Sequence, residues 1–341
     1  MEKILEVKDL SFSFKTYGGI VKSVRGVTFD VNKGEIVGIV GESGCGKSVT
    51  AQCIVRLNPE PPGFFEKGSI KYDGKEITKM TDHEMRKIRG VEIGFIFQDP
   101  MTSLNPTMKI GKQIEEIFVQ RKLYSKKELK EKALEILKMV GISDCERRYN
   151  QYPHELSGGM KQRVMIAIAL VGNPSIIIAD EPTTSLDVTI EAQILDLLKD
   201  LQKKLDTSII LITHDLGVIA KMCDRVLVMY GGKIVESGKV DDIFYNTKHP
   251  YTSGLLCSIA SLDTAKDEEL EPIEGTPPDL FSPPPGCPFA ARCEHAMDVC
   301  YHTMPPEYEI SEGHKTMCWL EHEFAPNVVL PCKKQQKKEV I

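Results

Sequence analysis

The 341-residue chain predicts an α/β fold built around a largely parallel sheet, and three observations predict it. The apolar run Glu35–Val40 reads as a buried strand, and Gly41-Glu42-Ser43-Gly44-Cys45-Gly46-Lys47-Ser48 and then the helical stretch Val49–Leu57 follow it directly. Strand, glycine-rich loop and helix is the context that the G-x-x-x-x-G-K-[ST] pattern needs. Ile176-Ile177-Ile178-Ala179-Asp180-Glu181 and Thr207–Thr213 are two further apolar, β-branched runs, each ending on polar residues. Strands buried on both faces read this way, and their ends are where an open α/β sheet binds ligands. Between these runs, 110–141 and 188–205 repeat apolar residues at helical spacing.

The loop carries the most specific chemistry. Its glycines let backbone N–H groups crowd around a diphosphate where a Cβ would clash. The helix that opens at Lys47-Ser48-Val49 adds free N–H donors and a partial positive charge. Lys47 can reach β- and γ-phosphates, and the Ser48 hydroxyl can ligate Mg²⁺.

Length and composition fit about two domains of ordinary globular type, with 41% hydrophobic and 27% charged residues. A net charge of −6 leaves no electrostatic footprint for nucleic acid. The start, Met1-Glu2-Lys3-Ile4-Leu5-Glu6, has no apolar leader segment, and no apolar run nears the ~18 residues of a membrane span. The expectation is a cytosolic chain that meets a membrane only through partner proteins. Its ten cysteines then point to burial or metal binding rather than disulfides.

Along the chain, 4–14 and 24–31 alternate apolar and polar residues and read as strands around a loop at 15–19. Phe12 and Phe14 share one face of the first, where an aromatic can pack in the core or stack on a base. After the turn Asn58–Gly63, a strand at Gly68–Tyr72 ends on the turn Asp73-Gly74. Glu92–Phe97 is another apolar strand, and Gln98 sits where it ends. The stretch 110–141 is a helical insertion with Gly141 as its C-cap. Ser157-Gly158-Gly159 opens an apolar helix and reads as a second anion site. At the end of the 176–180 strand, Asp180 can hold Mg²⁺ through water and Glu181 can orient and deprotonate an attacking water. His214 ends the next strand as a candidate γ-phosphate contact. Val226–Tyr230 and Lys233–Val235 form a hairpin across Gly231-Gly232.

In this order the motifs closely resemble an ATP-binding cassette (ABC) ATPase, the motor subunit of membrane transporters, over about residues 4–245. By resemblance, Gly41–Ser48 is the Walker A loop, Gln98 the Q-loop, and Leu156–Gln162 the signature motif. Ile176–Asp180 matches Walker B, Glu181 the catalytic glutamate, Ser185–Asp187 the D-loop, and His214 the switch histidine. The resemblance implies a P-loop NTPase fold: a RecA-like core with an antiparallel β subdomain and a helical subdomain at about 100–160, all within residues 1–250. It implies ATP and Mg²⁺ held by Gly41, Ser43, Gly44, Cys45, Gly46, Lys47, Ser48 and Val49 with Gln98, Asp180, Glu181 and His214, the metal by Ser48, Gln98 and Asp180. Phe14 takes the place of the adenine-stacking aromatic, with Tyr17 as runner-up. Cys45 departs from the small residue usual there, but the position acts through its backbone. Two cassettes pair head to tail in the family, so Ser157-Gly158-Gly159 would face the Lys47 loop of another cassette.

The segments His249–Leu256, Glu274–Leu280 and Pro285–Cys293, with Gln98–Pro106, resemble ATPases of oligopeptide, dipeptide and nickel permeases, specifically the D-type subunit. That resemblance implies a related F-type ATPase as partner (a second copy being the alternative), two membrane permease subunits and an external peptide-binding protein, at the cytoplasmic face of the cell membrane. Nickel is the competing cargo. Soluble cassette ATPases of DNA repair, chromosome organisation and translation are a distant alternative, because they carry two cassettes or a long coiled-coil insertion.

Residues 251–341 are expected to form a small irregular accessory domain containing Cys287, Cys293, Cys300 and Cys318. Their loose spacing lacks the short Cys pair of structural zinc sites and suits an iron–sulfur cluster, with zinc and free thiols as alternatives. The resemblance points the same way, to a four-iron (4Fe–4S) cluster. His295, His302 and His314 are candidate substitute ligands but are read as surface residues, and Cys332 with the Lys333–Lys338 tail as a solvated extension.

Overall fold

A computed structural model describes residues 2–121, 125–184, 186–258 and 273–330. Ser185, Cys332 and the Lys333–Lys338 tail therefore lie outside the described residues. In chain order the strands and helices are β1 (Lys3–Thr16), β2 (Gly19–Asn32), β3 (Ile36–Val40), α1 (Lys47–Ile54), β4 (Gly63–Tyr72), β5 (Lys75–Glu76), α2 (Asp82–Ile88) and β6 (Ile93–Ile96). There follow α3 (Pro100–Ser103), α4 (Ile110–Arg121), α5 (Lys126–Met139), α6 (Cys145–Tyr149), α7 (Gly158–Leu170), β7 (Ile176–Asp180), α8 (Val188–Leu205) and β8 (Ser208–Ile212). The last are α9 (Leu216–Met222), β9 (Arg225–Tyr230), β10 (Lys233–Lys239), α10 (Val240–Tyr245), α11 (Pro250–Cys257), α12 (Asp298–His302), β11 (Tyr308–Ser311) and β12 (His314–Thr316).

The chain divides into two compact units. The first comprises Met1–Ile4, Val31–Ile36 and Asp73–Ile212. Its parallel strands run in the order β6-β7-β8, with Ile96 opposite Ala179 and Asp180 opposite Ile212. Ile176, Ile177 and Ile178 are all buried, as a strand covered on both faces requires. Helix α7 lies against β6 and is apolar almost all round. Gly94 of β6 permits that approach, since a Cβ there would come within 2.5 Å of the Ala169 carbonyl. The predicted helical stretch is α4 and α5, each packed against α7. Gly141 ends α5 at φ +74°, and the Ile142 N–H returns to the Leu137 carbonyl at 3.0 Å. That is the left-handed cap expected of a glycine after the last apolar turn. Helix α8 is amphipathic, burying Ile194, Leu195, Leu198 and Leu201, each contributing about 1.5–3 kcal/mol.

The second unit comprises Leu5–Asp30, Val37–Tyr72 and Thr213–Ile341. One sheet orders β2-β1-β4, with β1 and β4 antiparallel. Both hairpin strands are longer than their sequence alternation indicated, because the chain keeps pairing past its last buried residue. The other sheet runs β11-β12-β10-β9-β3, parallel between β9 and β3 and antiparallel elsewhere. Gly231 and Gly232, both at positive φ, make the tight turn between β9 and β10.

The expected separate cysteine-rich domain is not what the structure contains. Tyr251, Cys287, Phe289, Ala290 and Cys300 share one apolar cluster with Val40, Val226, Val228, Tyr230 and Val235. Strand β12 extends the sheet by pairing with β10. The described C-terminal residues pack on β3, β9 and β10 and share their apolar core.

His314 also corrects its reading as a surface residue. It is fully buried, its Nε2 3.0 Å from the Glu236 carboxylate. Glu236 further accepts from the Lys248 and His249 N–H groups and the Thr247 hydroxyl. His249, also buried, caps α11 by accepting the Tyr251 N–H on Nδ1. Burial pushes its pKa down to about 4, against a smaller opposing pull from Glu236. The unfolded chain therefore takes up a proton near pH 6.5 that the folded chain refuses until about pH 4. Stability falls as pH drops through that window, by a limit on the order of 3 kcal/mol. His249→Asn keeps a capping acceptor but cannot titrate. Denaturant unfolding at stepped pH is expected to show a flatter acid slope in this variant, and an unchanged slope would remove His249 as its cause.

Candidate nucleotide site

In the second unit, β3 delivers the chain into Gly41–Ser48, and α1 opens at Lys47. Gly46 occupies the N-cap at φ +100°, where a Cβ would strike the Ser23 carbonyl at 2.4 Å. Only glycine fits there. Gly41, Cys45, Gly46 and Lys47 are buried, whereas Ser43 and Gly44 are exposed at the loop tip. Ser48 and Val49 are half-buried in the first turn of α1. The Lys47 ammonium arches back over the loop, donating to the carbonyls of Gly41 at 2.8 Å and Glu42 at 3.1 Å. Cys45 turns its thiol inward beside Gly41, and burial pushes the pKa of that thiol up, so it packs as a small neutral side chain. Its carbonyl accepts from the Gly232 N–H at 3.1 Å.

His214 follows Thr213, whose N–H donates to the Ile39 carbonyl at 3.3 Å, and so stands exposed by the end of β3. Asp215 caps α9. Of the two aromatics, Phe12 is fully buried. Phe14 is half-buried and meets Phe12 edge-on at 5.2 Å, while Tyr17 is fully exposed at the hairpin tip.

In the first unit, Asp180 ends β7 almost fully buried, and Glu181 follows at φ +45°, a left-handed conformation unusual for a side-chain-bearing residue. Hydrogen bonds from both its backbone and its side chain hold it there. Its N–H donates to the Ile212 carbonyl at 2.9 Å, and its carboxylate accepts from Gln98 Nε2 at 2.8 Å and the Thr184 hydroxyl at 3.0 Å. The structure thus brings Gln98 and Glu181 together across adjacent strand ends. Thr184 is a partner that sequence reading left without a role; its place three residues after Glu181, within one turn, was the available signal. Ser157 caps α7, its hydroxyl accepting from Met160 N–H, with Gly158 and Gly159 in the first turn. Of the D-loop residues, Ser185 lies outside the described residues.

Cys287, Cys300 and Cys318 are buried and Cys293 half-buried. Burial pushes the Cys287 thiol up to about 12 and Cys293 to about 11, and Cys318 is also raised, with the other three thiols adding to it. The four are near neighbours of the right kind for a cluster. Yet among the described residues no three His, Cys, Asp or Glu side chains are arranged to hold a metal ion. An apolar surrounding favours neutral thiols, and the Cys287 N–H bond to the Cys300 carbonyl fixes the loops through backbone rather than sulfur. The geometry among the described residues thus supports neither the expected cluster nor zinc.

Residues 24–184 match the family described as ABC transporter, and residues 235–300 match the oligopeptide/dipeptide transporter C-terminal region. The first span includes the phosphate loop, Gln98, Ser157–Gly159, Asp180 and Glu181. The oligopeptide transport ATP-binding protein OppD of Bacillus subtilis is 57% identical over 96% of this chain and 92% of its own length. The dipeptide transport ATP-binding protein DppD of the same organism is 55% identical over 97% and 98%. Among solved structures, the dimeric post-hydrolysis state of the cassette MJ0796, bound to ADP and Pi, superposes with a TM-score of 0.62 at 32% identity, covering 69% of this chain and 98% of that one. The chain belongs to the ATP-binding cassette transporter family, in the group whose ATP-binding subunits carry the oligopeptide/dipeptide transporter C-terminal region.

Proposed function

We propose that the chain is the ATP-hydrolysing subunit of an importer of di- and oligopeptides, acting at the cytoplasmic face of the membrane. The Gln98–Glu181 pair carries the catalytic half of this reading: an amide orients a carboxylate at the end of a buried strand, where it can hold and deprotonate water. The phosphates are bound by N–H groups of Gly41, Ser43, Gly44, Cys45 and Gly46 and by Lys47, with Val49 continuing the helix start and Phe14 flanking the base. Ser48, Asp180 and Gln98 carry oxygen donors that would suit Mg²⁺, which would supply positive charge to offset that of the phosphates. His214 senses the γ-phosphate. Cargo follows from the names of full-length relatives such as OppD and DppD.

Among the described residues no helix is long and apolar enough to cross a membrane, so two permease subunits would form the path and an external binding protein would select the peptide. A second cassette, an F-type relative or a second copy, would present its Ser157-Gly158-Gly159 equivalent to the Lys47 loop. The dimeric MJ0796 cassette supports pairing of this kind. Uptake of labelled di- and oligopeptides, and separately of nickel, should be compared in cells lacking the chain and cells complemented with it. Restoration of peptide uptake is expected; restoration of nickel uptake alone would make this a metal importer with the same motor.

The four cysteines support a second reading as ligands of a 4Fe–4S cluster, which would staple a segment with little regular structure. The mutual proximity of the four thiols is what favours it. Iron, sulfide and zinc analysis of protein purified without oxygen is the test. A colourless protein free of both metals would sink it.

A further inference from the structure

The second residue of the phosphate loop, Glu42, is gripped from the far end of the chain. Its N–H donates to the Tyr251 hydroxyl at 2.8 Å, and its carbonyl accepts from Lys47. Its carboxylate meets Arg292 as a two-pronged pair, Nη1 to Oε2 at 2.7 Å and Nη2 to Oε1 at 3.0 Å. The Arg292 side chain is 6% exposed, and its remaining donors go to the Tyr230 hydroxyl and the carbonyls of Ile273 and Glu274. All five guanidinium N–H groups thus have an acceptor, the most this side chain can make. The ring of Tyr230 lies 5.8 Å from the guanidinium carbon and that of Phe289 5.9 Å.

A saturated, two-pronged arginine is a rigid fixture, and here it fixes a loop whose N–H directions decide anion binding. A carboxylate in such a loop would repel a triphosphate; the paired guanidinium cancels that charge and turns it away from the loop tip. We propose that the C-terminal segment positions the phosphate loop, with Arg292 and Tyr251 acting through Glu42. This rests on the reading of Gly41–Ser48 as the nucleotide's phosphate site.

The test is ATP affinity of the purified full chain in a double-substitution cycle. Arg292→Met is expected to weaken ATP binding about tenfold or more, because it strands the Glu42 carboxylate beside the phosphates. In a Glu42→Gln background the same change is expected to cost no more than about threefold. Arg292→Lys, which keeps the charge but not the fork, should fall between wild type and Arg292→Met. Equal losses in both backgrounds would mean that Arg292 merely anchors the tail, and an Arg292→Met affinity within about twofold of wild type would overturn the proposal outright. Should Arg292→Met not fold, Tyr251→Phe removes only the hydroxyl facing the Glu42 N–H. It is expected to weaken ATP binding several-fold, and unchanged affinity there overturns the proposal equally. Lys47→Ala in the same assay separates the two levels. If it binds ATP normally, the nucleotide reading itself fails; if it loses ATP while the Arg292 and Tyr251 variants do not, only the positioning role fails.

Discussion

Glu181→Gln is expected to lower the turnover number for ATP hydrolysis at least about a hundredfold while ATP still binds. The substitution preserves shape and the partners on either side, so the Gln98 and Thr184 contacts can be remade with an amide. What it removes is a base. General-base assistance from a positioned side chain is worth about a hundred- to ten-thousandfold, and an amide supplies none of it. Binding should persist because the proposed phosphate contacts are the loop's backbone N–H groups and Lys47. The left-handed backbone at Glu181 reinforces the point. Such a conformation costs about 1–3 kcal/mol unless its surroundings impose it. Here a main-chain bond to Ile212 and two side-chain bonds impose it and aim the carboxylate. Single-turnover hydrolysis and equilibrium nucleotide binding, measured on one preparation, check this. Near-normal hydrolysis in the variant would take Glu181 out of its role.

Lys47→Ala is expected to cut ATP affinity about ten- to a hundredfold and to abolish hydrolysis and dependent uptake. Lys47 is 5% exposed and its ammonium is already anchored on two loop carbonyls, so it is held over the Gly41–Ser48 loop at little further ordering cost. Charge-assisted bonds of this kind are worth about 1.5–3 kcal/mol. The ammonium also neutralises charge where the γ-phosphate leaves. Thermal melts separate this loss from unfolding: a folded variant that still hydrolyses ATP would contradict the assignment.

Local chemistry made much of this legible in advance. Gly46 and Gly141 sit where only a positive φ serves, and the β-branched run 176–178 lies in a strand buried on both faces. The apolar spacing of 188–205 became α8 with the same ends. Each signal depends on neighbours a few residues away. The polar strand-end residues Gln98, Asp180 and Glu181 were legible for the same reason, since a polar residue closing an apolar run has few places to go.

Contacts between distant parts of the chain were not legible. The C-terminal segment looked independent because its Pro-rich stretch has little periodicity, but a short segment gains most by borrowing an existing apolar face. His314 looked like a surface residue because nothing near it in sequence reveals Glu236, its partner 78 residues away. Arg292 lies 250 residues from Glu42, and Tyr251 lies 209. The sequence alone determined the phosphate-loop motif between β3 and α1 and the polar residues that close β6 and β7, because local spacing and residue type suffice for those. The tertiary structure decided which carboxylate Arg292 neutralises, how Glu181 is aimed, and that the C-terminal tail shares the core of the phosphate-loop unit. Buried charges need partners within hydrogen-bonding distance, and the fold alone sets which residues those are.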